Sequence, residues 1–210
     1  MEPTRVWFMR HGEVEGPYVG TFVGRTDVNL SPLGRHQAEA TAAYLEDAPL
    51  DAILCSPRKR SLDTAAPLAR ARGMKLEVRK DFAEMDYGDW ETLFWHQIEQ
   101  RFPEETKKWL ADPAGCPMPN GESCDAFSAR VKRTLDQALV EFRGRTLAVF
   151  SHAGTNRAIL GAALERPFRD CFAFAQDYGN LNAAAWMPDG SVQVALVNFV
   201  PGPKSKESGD

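Results

Sequence analysis

The feature that most constrains the fold is an alternation of short apolar runs with capped, helix-period segments. Val6-Trp7-Phe8-Met9, Asp51-Ala52-Ile53-Leu54-Cys55 and Lys75 to Val78 are too short for helices and are bounded by turn residues, as buried strands are. Between the first two, Ser31-Pro32 is an N-cap and first-turn pair, and Leu33, Ala38, Ala42 and Leu45 mark one helical face. Ser56-Pro57 is expected to open a second helix that runs to Gly73, with Leu62, Ala65, Ala66 and Ala69 inward. This β-α-β-α-β rhythm predicts an α/β fold with a largely parallel sheet covered by helices.

The rhythm breaks from about Asp86 to Glu122, where Trp90, Trp95 and Trp109 are punctuated by Pro103, Pro113, Pro117 and Pro119. A helical insertion over the end of the sheet is expected there. Ser123 then caps a long helix with Phe127, Val131, Leu135, Leu139 and Phe142 at helical spacing, ended by Gly144. Thr146-Leu147-Ala148-Val149-Phe150 is a fourth buried strand, and a helix from Thr155 to about Leu164 follows. Leu181 to Met187 and Ser191 to Phe199 predict a closing hairpin around Pro188-Asp189-Gly190. Residues 1–200 are thus expected to form one domain, and 201–210, polar and rich in Gly and Pro, a flexible tail.

A net charge of −4 over 210 residues argues against a general nucleic-acid or membrane-surface binder. Cys55, Cys116, Cys124 and Cys171 lie at irregular spacings with no metal-type array, so reduced thiols and no metal site are expected. No apolar run suits a signal core or a membrane span, which predicts a cytoplasmic protein. Oligomeric state is not legible.

Chemistry-bearing residues gather where the strands end. Arg10-His11-Gly12-Glu13 follows the first run, and ligands collect at the carboxyl ends of strands in open α/β sheets. A guanidinium binds phosphate oxygens bidentately, and an imidazole beside it serves as base or nucleophile. Arg58, Lys59 and Arg60 follow the second strand, at a helix N-terminus where cations are disfavoured unless an anion binds. A solvated basic turn is the alternative for Arg58 and Lys59. His152 follows the fourth strand, and the small residues Ala153 and Gly154 free backbone N–H groups for an anion. Glu84, Asp86, Asp89 and Glu91 lie among apolar groups, where desolvation favours a protonated acid; spacing does not choose among them.

Together these segments resemble the histidine phosphatase superfamily, its phosphoglycerate-mutase-like branch, over nearly the whole chain. The family's Arg-His-Gly-Glu matches Arg10 to Glu13, its Gly-x-x-Asp-x-x-Leu-Ser/Thr-x-x-Gly matches Gly24 to Gly34, and Ser-x-x-x-Arg-Ala/Ser-x-x-Thr-Ala fits Ser56 to Ala65 and selects Arg60 over Arg58. Glu-x-x-x-Gly-x-Trp-Glu fits Glu84 to Glu91, Gly-Glu-Ser fits Gly121 to Ser123, and Ser-His-x-Gly fits Ser151 to Gly154.

The resemblance implies a three-layer α/β/α sandwich and a two-step reaction needing no metal or cofactor. His11 would take the phosphoryl group, Glu84 would act as acid and then base, and Arg10, Arg60 and His152 would hold the phosphate, aided by Gly24, Ala153 and Gly154. The two arginines would lower the pKa of His11. Family members often carry Ser or Thr directly after the tetrad and Asn three positions on. This chain has Val14 and Pro17, so Thr21 or Thr26 is expected to reach in, or backbone N–H groups to serve.

Within the family the chain resembles the compact phosphatases, especially those acting on α-ribazole-5′-phosphate in cobalamin assembly. The implied partner is a small-molecule phosphate monoester. Phosphoglycerate mutase and a non-catalytic phospholigand-binding module are the alternatives. The tryptophans of the insertion would either stack on a flat base or pack the insertion onto the sheet.

Overall fold

The structure, a computed structural model, describes residues 2–113 and 115–202. Six strands form one sheet: β1 (Thr4–Arg10), β2 (Ala52–Cys55), β3 (Leu76–Val78), β4 (Thr146–Ser151), β5 (Leu181–Trp186) and β6 (Val192–Phe199), in the order β3-β2-β4-β1-β5-β6. The first four in that order run parallel, and β5 pairs antiparallel with both β1 and β6. The predicted fold class holds.

Period-2 alternation divides the apolar residues of the strands between two cores. Val6, Phe8, Leu54, Leu147 and Val149 face α5 (Cys124–Glu141) and α6 (Ala153–Leu164). Met9, Ile53, Cys55, Ala148 and Phe150 face α1 (Pro32–Tyr44) and α2 (Lys59–Arg72). Both faces are covered, which is why these strands read as continuous apolar runs.

Ser31 and Ser123 cap their helices as expected, accepting from the N–H groups of Gly34 and Ala126. Leu33 departs from its expected inward place and is exposed, because the buried face of α1 runs through Gly34, Ala38, Thr41 and Ala42. Helix α2 begins at Lys59 and not at Ser56-Pro57, because the Ser56 hydroxyl is turned to His152 instead of capping the helix. Helix α6 begins at Ala153, two residues earlier than expected, so His152 is itself its N-cap residue.

The insertion contains α3 (Trp95–Arg101) and α4 (Pro103–Ala111). Trp90, Trp95 and Trp109 pack on one another and on Phe22 and Phe172 with ring centroids 5.7–6.3 Å apart, and Trp90 is fully buried. They are core, not a platform for a ligand's base. No helix among the described residues is long and apolar enough to cross a membrane. Pro201 is buried, and residues 203–210 of the expected tail lie outside the described residues.

Candidate active site

β1 and β4 are parallel neighbours in register, Arg10 beside Ser151, so their carboxyl ends deliver His11 and His152 to one edge with ring centroids 5.2 Å apart. The His11 N–H donates to the Ser151 carbonyl (3.0 Å), and the His11 carbonyl accepts from Gly179 (3.1 Å). A Cβ on Gly12 would stand 2.3 Å from the Gly34 carbonyl oxygen, so only glycine lets the chain pack onto α1 here.

The tautomer of His11 follows from its partners. Nδ1 lies 2.8 Å from the Gly12 carbonyl, which can only accept, so Nδ1 carries the hydrogen and Nε2 the lone pair. The Arg60 Nε–H donates to that Nε2 at 3.3 Å. Burial, then Arg60, then Arg10 hold the His11 pKa well below its ordinary value. The imidazole is neutral at physiological pH.

Arg60 is fully buried without a carboxylate on its guanidinium. Its Nη1 donates to the Thr26 carbonyl (2.9 Å) and its Nη2 to those of Val23 (2.9 Å) and Gly24 (3.0 Å). Burial lowers its pKa to about 10, which leaves it charged at neutral pH. The loop that holds it is fixed from behind by Glu91, whose carboxylate accepts from the N–H groups of Gly24, Arg25 and Thr26 and from the Thr26 hydroxyl.

Arg10 donates Nη1 to the Gln176 carbonyl (2.6 Å) and lies over the Tyr178 ring, 3.7 Å from its centroid. Behind it, Ser151, Asn156, Gln176, Asn180 and Asn182 form a buried network, and Asn180 Oδ1 accepts from the Arg10 backbone N–H. His152 is fully buried; its Nε2 lies 2.7 Å from the Ser56 hydroxyl, and its Nδ1 has no hydrogen-bond partner. Burial, then Arg60 and His11, hold its pKa well below the usual value.

Glu84 accepts from the N–H groups of Met85 on Oε1 (2.9 Å) and Gly154 on Oε2 (3.0 Å), leaving each oxygen a second acceptor position. Arg130, paired with Glu122, donates to the carbonyls of Asp81, Ala83 and Glu84 and fixes the segment carrying this carboxylate.

Arg10, His11, Val14, Thr21, Val23, Glu84, Tyr87, Ala153 and Tyr178 line a cavity of about 70 Å³. Liquid water occupies roughly 30 Å³ per molecule, so this space suits a phosphoryl group and not an organic leaving group. His11, Glu84, Arg10 and Ala153 thus meet in one cavity, with Arg60 and His152 packed against His11.

Two expected anion donors are occupied otherwise. The Gly24 N–H is held by Glu91 and the Gly154 N–H by Glu84, so neither is free for a phosphate. A Cβ on Gly154 would lie 2.3 Å from Glu84 Oε1, so this glycine makes room for the carboxylate. The Thr26 hydroxyl is also taken by Glu91, whereas Thr21 does line the cavity. Lys59 and Arg58 lie outside it; Lys59 pairs with Asp63 on the surface. Tyr87, Tyr178 and the network around Gln176 carried no sequence signal. Among the described residues no group of three His, Cys, Asp or Glu side chains could hold a metal.

The model of the histidine phosphatase superfamily, branch 1, matches residues 6–199. A bifunctional protein of Mycobacterium tuberculosis is 34% identical over 197 residues, 93% of this chain and 54% of that protein. The chain therefore spans about half the length of that relative. An acid phosphatase of the same organism is 31% identical over 208 residues, covering 98% of this chain and 97% of its own. The crystal structure of the alpha-ribazole phosphatase from Shigella flexneri superposes with a TM-score of 0.84 at 26% identity, over 96% of this chain and 100% of that one.

Proposed function

Because the chain belongs to the histidine phosphatase superfamily, we propose that it hydrolyses phosphate monoesters through a phosphohistidine on His11. The observation that carries this reading is the state of His11, whose Nδ1 is tied to the Gly12 carbonyl and whose neutral Nε2 faces Arg60 beside a phosphoryl-sized cavity.

In the first step Nε2 gives up the hydrogen bond from Arg60 and its lone pair attacks phosphorus, the bond from phosphorus to the ester oxygen breaks, and Glu84 gives that oxygen its proton. In the second step water attacks the phosphohistidine while Glu84 takes a proton from the water. The P–N bond breaks, releasing inorganic phosphate and neutral His11. Arg10 supplies positive charge to the non-bridging oxygens, and fixed charge in a dry site needs no reorganisation as the transition state forms. Arg60 orients Nε2 before substrate arrives and adds a second cation to the phosphoryl site. His152, with a free buried Nδ1, is a further donor or acceptor at the same edge.

The leaving group must project out of the cavity, since the cavity holds little more than the phosphoryl group. The substrate is a small-molecule monoester. α-Ribazole-5′-phosphate heads the candidates because an adenosylcobalamin/alpha-ribazole phosphatase of Salmonella typhimurium is 28% identical over 175 residues. Four cysteines without a disulfide suit work in the cytoplasm.

Turnover of an aryl phosphate by the wild type and its loss in His11→Ala test the chemistry. A metabolite panel that includes α-ribazole-5′-phosphate, and 3-phosphoglycerate with its bisphosphate, tests the leaving group. Equal rates for wild type and His11→Ala would sink the proposal.

A further inference from the structure

We propose that Gln176 is a positioning residue for the phosphate clamp: its main-chain carbonyl anchors Arg10, and its side chain, at the centre of a buried amide network, holds that carbonyl in place. Residues 174–180 form neither helix nor strand, so no ladder of backbone hydrogen bonds fixes Gln176. The side chain does so instead. It is 4% exposed; its Oε1 accepts from the amide groups of Asn156 (2.9 Å), Asn180 (3.0 Å) and Asn182 (3.0 Å), and its Nε2 donates to Asn182 Oδ1 (3.0 Å). Those asparagines are fully buried and reach the rigid parts of the fold. Asn182 donates to the Phe8 carbonyl of β1, and Asn156 Oδ1 accepts from the Ser151 hydroxyl at the end of β4.

The chemistry of the anchor suits an anion site. With Nη1 on the Gln176 carbonyl and one face under the Tyr178 ring, the guanidinium is held at two points, while its buried Nε has no hydrogen-bond partner. A carboxylate in place of that carbonyl would orient Arg10 as well, but it would neutralise the charge that a phosphate needs. A neutral carbonyl, backed by neutral amides, gives the orientation and leaves the charge. A long side chain ordered before the ligand arrives also spares the ligand the cost of freezing its rotamers.

This inference rests on the phosphatase reading of the cavity, so it is judged on binding of inorganic phosphate, read by phosphorus NMR titration without turnover. Gln176→Met keeps nearly the same volume and removes the four hydrogen bonds of the side-chain amide. Phosphate affinity should fall about tenfold, the scale of immobilising one long side chain. In an Arg10→Met background the same change should cost less than about twofold, because the group through which Gln176 acts is gone. In turnover Gln176→Met should raise KM about tenfold with kcat nearly unchanged, as when binding is lost equally from ground and transition states. Should Gln176→Met not fold, Asn198→Gly takes its place in the same cycle. It removes the oxygen that accepts from the Asp177 N–H and from Asn180 Nδ2 (2.7 Å each), and glycine suits the φ of 56° there. Its expected loss is about threefold, the scale of a neutral hydrogen bond, with the same dependence on Arg10. Phosphate binding within twofold of wild type in the folded variant, or an equal loss with and without Arg10, would overturn the assignment. A wild type without turnover would refute the phosphatase reading alone, because the phosphate affinities would still judge Gln176.

Discussion

Glu91 and Arg60 share no hydrogen bond, yet they grip residues 23–26 from opposite sides. The carboxylate takes the N–H groups of Gly24, Arg25 and Thr26, while the guanidinium donates to the carbonyls of Val23, Gly24 and Thr26. The same guanidinium reaches His11 through Nε. Glu91 is therefore a positioning residue acting through the loop. Glu91→Ala should lower kcat/KM about tenfold or more and cost about 2 kcal/mol of stability as backbone donors lose their acceptor. Glu91→Gln, which keeps one acceptor oxygen, should fall between. Steady-state kinetics with urea unfolding of both variants checks this ordering.

Gly154 makes a second, sharper prediction. Because a Cβ there would overlap Glu84 Oε1, Gly154→Ala must displace the proposed acid. The expected outcome is a kcat for an alkyl ester reduced about 100-fold, within the range that general acid catalysis contributes, with little change in KM. An aryl ester with a good leaving group should lose much less in the rate of the first step, read as the burst of released phenol, while its steady-state kcat falls too because water attack needs the same carboxylate.

The face-on contact of Tyr178 with Arg10 predicts a KM effect. Tyr178→Leu removes the ring that orients the guanidinium and should raise KM for phosphate esters about fivefold or more, while Tyr178→Phe keeps the ring and should match wild type. Measured KM values for the two variants decide it.

Both site histidines predict how stability responds to acid. Their pKa values are held well below 6.5 in the folded protein. As pH falls below about 6.5 the unfolded chain takes up protons that the folded one refuses. Stability is then lost downward from that point, until the folded pKa is reached, at up to about 1.4 kcal/mol per pH unit for each histidine. Urea unfolding at pH 7, 6 and 5 should show the decline, and His152→Gln should make it shallower. The proposed nucleophile also stays neutral over this window, so protonation of His11 should not lower kcat/KM just below pH 6.5.

Much of the site was legible because strand ends are: His11 and His152 each follow an apolar run, and β1 and β4 prove to be neighbours. The two-sided burial of the central strands was likewise written in their uninterrupted apolar sequence. Helix α2 was misjudged at its start because Ser56 looks like a cap until His152, 96 residues away, claims its hydroxyl. Gly24 and Gly154 looked like phosphate cradles, but their N–H groups serve carboxylates brought in from distant segments. The asparagine and glutamine network behind Arg10 left no periodicity to read, since its members meet only when β5 pairs with β1.

The central claim is that His11 takes the phosphoryl group. In Glu84→Gln an activated aryl ester, whose leaving group needs no proton, should still phosphorylate His11, whereas attack by water should stall without its base. Rapid acid-free quenching followed by peptide mass spectrometry should then find one acid-labile, base-stable phosphoryl group on His11, absent from His11→Ala. Turnover with no phosphorylated protein at any time point, or a phosphoryl group on another residue, would contradict the account.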